Sequence, residues 1–535
     1  MIILSEHFCN HFAPARTLSL TDENRILAYA EKHGVRFSSI LLPGSGPALS
    51  FFDSAAAASG GRAFAFGARG PADVGAHLYA GLTEAFQEIR GLDTDYPADV
   101  PVRVHTKVAR RGAEGLVTRG EFSIDPTLGR ESRFGVLVDD TSDYYINSVT
   151  FTDAKSGEAY GPYSSLSSDF NLINLKTINF PHDGRALPLD DPAHLGTTWR
   201  YEVRWYPGGD EARTNVVVVE SKPRNLGAFG LVDVSLWTSS DAEGASGGDA
   251  VTAADPIALY VRVARGDSPV MEAKVTVEVV VSFGDNATEI ISEPIRLLDR
   301  GGGSPDLVAD DGVYSRYLTA YPRAGRYRFR VTAEDDGGRA YTIQRGRDGR
   351  AMPAKPPDSR VTPVCCGGAV RVPSDLRSFS SFRRSLNAGG PVLHLVSVPD
   401  ASVDEMPPAR IADLRVAVDG QKSAVEATWT APGDDFDHGS ASGYKFVFSL
   451  DAADLAEPGR SPPVLHSVEG RRDEAGTAQA HSFPFRHRYD ADYHVAMYAI
   501  DAAGNRGNLS NIVVLRVPAP PTEPPTEGPS TPGTQ

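Results

Sequence analysis

The chain has 535 residues, 41% of them hydrophobic and 23% charged, with 53 Lys and Arg against 69 Asp and Glu for a net charge of -16. The length exceeds the ~100–200 residues of one domain and predicts about three to five. The composition excludes a chain disordered throughout, and no run nears the ~20 apolar residues of a membrane-spanning helix. The acidic surplus argues against nucleic acid as a partner, because phosphate contacts need concentrated cations.

Glycine at 52 and proline at 39 favour many short strands over long helices. The three cysteines, Cys9, Cys365 and Cys366, are too few for a disulfide scaffold. The start, Met1 to His7, has no basic segment, long apolar core or cleavage site. It reads as the start of a cytosolic protein or as a fragment beginning inside a domain.

Residues 1–91 alternate strand and helix. Strands are expected at Met1–Leu4, Val35–Leu42 and Arg62–Phe66. Helices are expected at Asp22–His33, with Thr21 as N-cap and Gly34 at the stop, at Ala48–Ser59 and at Pro71–Ile89. Strands so connected must be parallel, and the set reads as the back half of a doubly wound fold.

From residue 96 the pattern turns to alternation. One β-sandwich is expected over 96–224, with strands at Val102–Val108, Phe134–Val138 and Trp199–Trp205 and a continuous apolar strand at Asn215–Val219. A second, immunoglobulin-like sandwich is expected over 250–345. Residues 346–408, rich in Arg, Pro and Ser over Asp348–Asn387, read as an irregular connector. A third sandwich covers 409–517. The last 18 residues, Pro518–Gln535, hold 7 Pro and 4 Thr and read as a disordered, extended tail. The fold class is therefore multidomain and mainly β: a partial α/β region followed by tandem antiparallel sandwiches.

No His-Glu-x-x-His occurs, and no glycine precedes a lysine, so a phosphate-binding G-x-x-x-x-G-K is absent. His7, Cys9 and His11 alternate but offer too few ligands for zinc without help. Gly244-Ala245-Ser246-Gly247-Gly248 fits the G-x-S-x-G expression, yet its Asp, Glu, Gly and Ser neighbours make it a linker.

Two acidic loops are more informative: Asp299 through Asp306 to Asp310 and Asp311, and Asp434, Asp435 and Asp437. Carboxylates at such spacing can supply oxygen ligands to calcium. Equally, they can close turns by accepting backbone N–H groups. Arg265-Gly266-Asp267 is the tripeptide that integrins read, and also a plain turn between strands. Asn286 and Asn508 are glycosylation acceptors if the chain is secreted.

Longer segments carry a resemblance. They are Leu297-Leu298-Asp299, Asp311-Gly312-Val313-Tyr314-Ser315-Arg316-Tyr317 and Gly325-Arg326-Tyr327; then Pro407 to Leu414; then Trp429-Thr430-Ala431-Pro432-Gly433-Asp434-Asp435-Phe436-Asp437-His438-Gly439; and Ala499 to Asn505 with Ser510-Asn511-Ile512. Together these resemble the calcium-activated chloride channel regulator family, strongly beyond residue 250 and loosely before it.

The resemblance implies an order of zinc metalloprotease, von Willebrand factor A domain, β-sandwich region and fibronectin type III domain. It makes 1–91 the C-terminal half of the A domain and 409–517 the type III domain, with Trp429 and Tyr493 as core aromatics. The protease motif and the Asp-x-Ser-x-Ser element of the adhesion site are then expected upstream of Met1. Ser5-Glu6-His7 stands where the family has Thr-Asp-Gly, leaving Glu6 as a remnant metal position that cannot hold a cation alone.

The implied function is a non-catalytic, extracellular binding fragment that modulates a membrane chloride channel, or another cell-surface protein, by contact. It involves no nucleic acid, no membrane span and no cofactor other than calcium at the acidic loops. Two alternatives stand beside it: a truncated form of a secreted, self-cleaving zinc metalloprotease, and an integrin-binding adhesion protein acting through Arg265-Gly266-Asp267.

Overall fold

The computed structural model describes residues 2–5, 20–41, 55–56, 59–66, 76–93, 100–110, 116–139, 146–163, 170–172, 175–180, 188–205, 214–224, 230–239, 251–252, 257–266, 268–283, 288–301, 303–343, 376–378, 381–386, 393–398, 400, 402–419, 424–456, 463–485 and 491–517. The chain is mainly β, in several antiparallel sheets. It divides into two compact units, one of residues 1–299 with 308–400 and one of 300–307 with 401–535.

The first unit begins with three parallel strands, Ile2–Ser5, Ser38–Leu41 and Ala63–Ala65, in that order. Parallel neighbours need a crossover, and the helix Leu20–His33 lies between the first two. It starts at Leu20, so Thr21 falls inside its first turn and not at the cap. At its other end Gly34 adopts φ 61°, Gly34 N–H donates to Glu31 O and Val35 N–H to Ala30 O. That pair of bonds is a Schellman stop. Of the helix expected over Ala48–Ser59, Ala55 and Ala56 are helical and Ser59 N–H still donates to Ala55 O; residues 48–54 and 57–58 lie outside the described residues. The third helix runs Ala76–Asp93. Its Ala85 and Ile89 bury against Ile40, Phe64 and Phe66.

The next two sheets are antiparallel. One orders Val102–Arg110, Thr214–Lys222, Arg130–Asp139, Leu175–Phe180 and Phe170–Leu172; the other orders Val117–Ser123, Thr198–Trp205, Ile146–Asp153 and Ala159–Tyr163. Alternation places Trp199, Tyr201, Val203 and Trp205 in one core with Phe122, Phe134 and Phe151. The continuous apolar run in Thr214–Lys222 has a separate cause. Val217 and Val219 face that core, while Val216 and Val218 pack with Ala80 of the helix Ala76–Asp93. This strand is buried on both faces, and such strands lose their alternation.

A second pair of sheets completes the unit. One orders Val232–Thr238, Ala258–Arg265, Ser268–Met271, Tyr341–Ile343 and Leu376–Ser378, with Val313–Tyr317 also paired to Ala258–Arg265. The other orders Val251–Thr252, Leu393–Ser397, Gly325–Glu334, Lys274–Phe283 and Thr288–Ile291. Ile295–Leu297 and Arg383–Leu386 join it off that path. Leu259, Val261, Val277, Tyr327, Phe329 and Phe382 lie in their shared core. The segment expected to be irregular, 346–408, thus contains three strands among its described residues, Leu376–Ser378, Arg383–Leu386 and Leu393–Ser397. Leu376–Ser378 pairs with Tyr341–Ile343, and Arg383–Leu386 and Leu393–Ser397 both pair with Gly325–Glu334, so tertiary pairing makes them strands.

Among the described residues the second unit holds seven strands in two antiparallel sheets. Arg415–Asp419, Ala424–Thr430 and Ala478–Pro484 form one; Val464–Glu474, Ser440–Ser449, Ala491–Ile500 and Val513–Val517 form the other. Trp429 meets Tyr444 and Phe446 edge-on, at centroid distances of 5.0 and 5.7 Å. Phe483, Phe485 and Tyr493 fill the rest of this core.

Candidate functional site

In the first acidic loop the carboxylates close turns. Asp299 accepts the N–H groups of Asp311 (3.3 Å) and Gly312 (3.0 Å). Asp311 accepts that of Val313 at 2.8 Å, and Asp306 accepts those of Arg300 and Gly301. Asp310 sits at φ 60°, an uncommon conformation for a residue with a side chain. Burial, and then the Asp310 charge, raise the Asp311 carboxyl above its ordinary value. These bonds satisfy the backbone of a tight connection in the manner of Asx turns.

The second acidic loop is built differently. After the strand Ala424–Thr430 the chain folds back on itself. Asp434 and Asp435 N–H both donate to His438 O, at 2.7 and 3.1 Å, and Gly433 N–H donates to Phe436 O at 2.8 Å. Gly433 must be glycine, since a Cβ there would lie 2.1 Å from His438 O. Phe436 N–H reaches Pro407 O, and Ala409 N–H reaches Phe436 O. The loop is thereby tied to residues 407–409.

A third segment joins them. The turn that follows the strand Ala491–Ile500 presents Ala502 N–H to Asp434 Oδ1 at 3.2 Å, and Asn505 donates its side-chain amide to Asp404 O at 2.9 Å. The segments around residues 404, 434 and 501 are thereby tied together at one end of this unit. Asp437, expected with Asp434 and Asp435, has its Oδ1 3.5 Å from His438 Nε2. Burial first, and then repulsion from Asp404, Asp434 and Asp501, raise the Asp435 carboxyl above its ordinary value. The loops at 404 and 501 escaped the sequence reading because nearly a hundred residues separate them.

Other expected positions are scattered. Ala258–Arg265 and Ser268–Met271 form a hairpin whose turn holds Gly266 at φ 58°. Arg265 is half-buried and within range of the Asp125 charge, so it is not held out at the tip. Asp267, Glu6 and Asn286 lie outside the described residues, as do His7, Cys9, His11, Ser246 and the cysteine pair. Asn508 is exposed, whereas Ser510 of the same acceptor motif is buried and its hydroxyl accepts Met497 N–H at 3.0 Å.

Sequence reading missed two buried polar groups of the first unit. Asp125 and Arg384 form an ion pair at 2.7 Å, both nearly inaccessible. Burial would raise the Asp125 carboxyl, but Arg384 and the Thr127 hydrogen bonds hold it below the usual carboxylate range. His105 lies buried against the Tyr201 hydroxyl at 3.0 Å. Burial, with help from the Arg383 and Lys107 charges, pushes it down to about 3. A cleft of about 550 Å³ in this unit is lined by Glu121, Glu334, Asp335, Asp336 and Arg383. Its acids are engaged: Glu334 with Lys274 and Arg383, Asp336 with Arg296, and Asp335 with Ala340 N–H.

A comparison with characterised proteins finds similarity over about half of the chain. Calcium-activated chloride channel regulator 1 of Mus musculus is 31% identical over 290 residues, which are 52% of this chain and 30% of that protein. The chain is similar over about half its length to the calcium-activated chloride channel regulators. The human regulator 1 is 27% identical over 345 residues, 63% of this chain and 35% of that protein. The chain thus spans about a third of the length of these regulators. No family model matches. Among solved structures, the fibronectin type III domain of the human collagen alpha-1(XX) chain aligns with 24% of this chain and all of that one. Its identity is 21% and its TM-score 0.15, too low to bear on the fold. Among the described residues no helix is long and apolar enough to cross a membrane.

Proposed function

We propose that this chain is a non-catalytic binding portion of a regulator-like protein, acting outside the cell by contact with a membrane chloride channel or a neighbouring surface protein. The observation that carries the reading is the similarity over half the chain to proteins named as channel regulators. Tandem antiparallel sheets with a net charge of -16 suit contact with a complementary, basic surface.

In this reading residues 1–91 are the C-terminal half of a von Willebrand factor A-like domain, which three parallel strands with crossover helices support. Residues 409–517 are a fibronectin type III-like domain, supported by their three-plus-four strand arrangement around Trp429 and Tyr493. The regions between, 96–224 and 250–345, are sandwich spacers. Glu6 takes no part in metal binding here, and glycosylation at Asn286 and exposed Asn508 fits an extracellular location.

The test is retention of the fluorescently labelled chain on cells that express a calcium-activated chloride channel, against the same cells without it. Binding that rises at least several-fold with the channel, and falls as salt screens the charges, supports the reading. Equal binding to both cell types overturns it. Asp267→Glu separates the integrin alternative: attachment of cells to the immobilised chain should be unchanged, and its loss would favour adhesion.

A further inference from the structure

His466 and His481 face each other across one side of the 401–517 unit. Val464–Glu474 and Ala478–Pro484 are the edge strands of its two sheets, one on each. Among the described residues each edge has a single ladder partner, Ser440–Ser449 for the first and Ala424–Thr430 for the second. The two Nε2 atoms lie 3.0 Å apart, within hydrogen-bond distance. The imidazoles are near-parallel, with centroids 5.2 Å apart and planes 21° from each other. His466 also lies flat on the Phe483 ring, at 4.5 Å and 5°. The pair thus joins two sheets that share no backbone ladder among the described residues.

Such a bond needs one ring to donate an N–H and the other to accept it on a bare nitrogen. A neutral pair does this, and so does a pair carrying one proton, in which an imidazolium donates to a neutral ring. A second proton leaves two N–H groups and two positive charges 3.0 Å apart, so the bond is lost and like charges meet. The surroundings offer little compensation. His466 stands opposite Phe446 and His481 opposite Ala427, and Tyr444, which titrates only as a buried phenol, faces the same core. Glu426 and Lys445 pair with Ser482 and Ser467, and alternation turns them to the outer faces. Asp473 pairs with Ala441, five residues along that strand from Phe446. Glu469 is exposed, and Arg471, Arg472 and Glu474 follow it. Burial alone holds the His466 imidazole below its ordinary value.

We propose that the His466–His481 pair is an acid-released latch: bridged, it holds the two edge strands together, and a second proton parts them. The contribution of a histidine buried in its neutral form is complete above about pH 6.5 and is lost as pH falls below it. The connection between the strands stays tied, since Ala475 N–H donates to Gly439 O and Gly476 N–H to Ala431 O. Opening is therefore local. This inference is independent of the proposed function: it concerns the 401–517 unit whatever that unit contacts.

Amide hydrogen exchange of the full chain, followed by mass spectrometry at about pH 7.5 and about pH 5 and corrected for intrinsic rates, tests it. In acid, exchange over 464–484 should speed at least about tenfold, while Ala491–Ile500 stays protected. His466→Gln and His481→Gln keep a side chain that can hydrogen-bond but takes no proton, so each should flatten the acid response. A purely structural role would instead loosen 464–484 equally at both pH values.

Exchange of the imidazole C2–H groups gives a second readout that needs no variant. The two histidines should titrate in separate steps at least about one pH unit apart, the lower below about pH 6. Three results would each overturn the latch: equal protection of 464–484 at both pH values in the native chain, both histidines titrating together near about pH 6.5, or an acid response that survives in both variants.

Discussion

His105 holds a neutral imidazole where a protonated one has no room. Its folded pKa is about 3 against an ordinary 6.5, chiefly because burial penalises the charge. Between those values the unfolded chain binds a proton that the folded chain refuses. Stability from this group is therefore complete above pH 6.5 and is lost as pH falls towards 3, with a slope of up to about 1.4 kcal/mol per pH unit. His105→Gln should flatten that acid limb in urea titrations, and an unchanged limb would contradict the assignment. At neutral pH the same variant should lose about 1 kcal/mol if the Tyr201 bond is not remade. Trp429 offers a simpler case. Its aromatic contacts sit in the centre of the 401–517 core, and Trp429→Ala should cost about 3–5 kcal/mol. Near-UV circular dichroism through a denaturant titration would show it. Trp429 was expected in the core because the resemblance to the regulators implies a type III domain built around it. His105 sits on an alternating strand, but alternation does not say whether an inward histidine finds a partner.

Elements were legible where one face alone is buried. Thr198–Trp205 reads as a strand from its alternating Trp, Tyr, Val and Trp, and the structure buries those four together. Arg383–Leu386 was not legible, since its pairing with Gly325–Glu334 is a tertiary fact. That strand also carries Arg384, whose ion pair with Asp125 links the two pairs of sheets in the first unit. Arg384→Met would leave Asp125 charged and buried, and should cost about 3–5 kcal/mol. Adding Asp125→Asn should restore much of it, as urea midpoints of the single and double variants would show. The strand Thr214–Lys222 makes a further prediction, because its two faces serve different neighbours. Val216→Ser should speed amide exchange in the helix Ala76–Asp93, which Val216 packs against, while Thr198–Trp205 stays protected. Equal loosening of both would show that the two faces are one core.

At the scale of the whole chain, composition and turn spacing were enough to anticipate a multidomain, mainly β molecule, and long segments were enough to relate it to the channel regulators. What spacing could not show is convergence. The segments near residues 407 and 501 come together because residues 407–409 pair with the loop at 436 and the turn after Ile500 donates Ala502 N–H to Asp434. The function proposed for the chain is regulation of a surface channel by contact, without catalysis. Whole-cell chloride current, recorded before and after the purified chain is added outside cells expressing a calcium-activated chloride channel, tests it most directly. Current density should rise severalfold, fall back on washing, and show no rise when the chain is heat-unfolded. Unchanged current with folded chain in excess would contradict it.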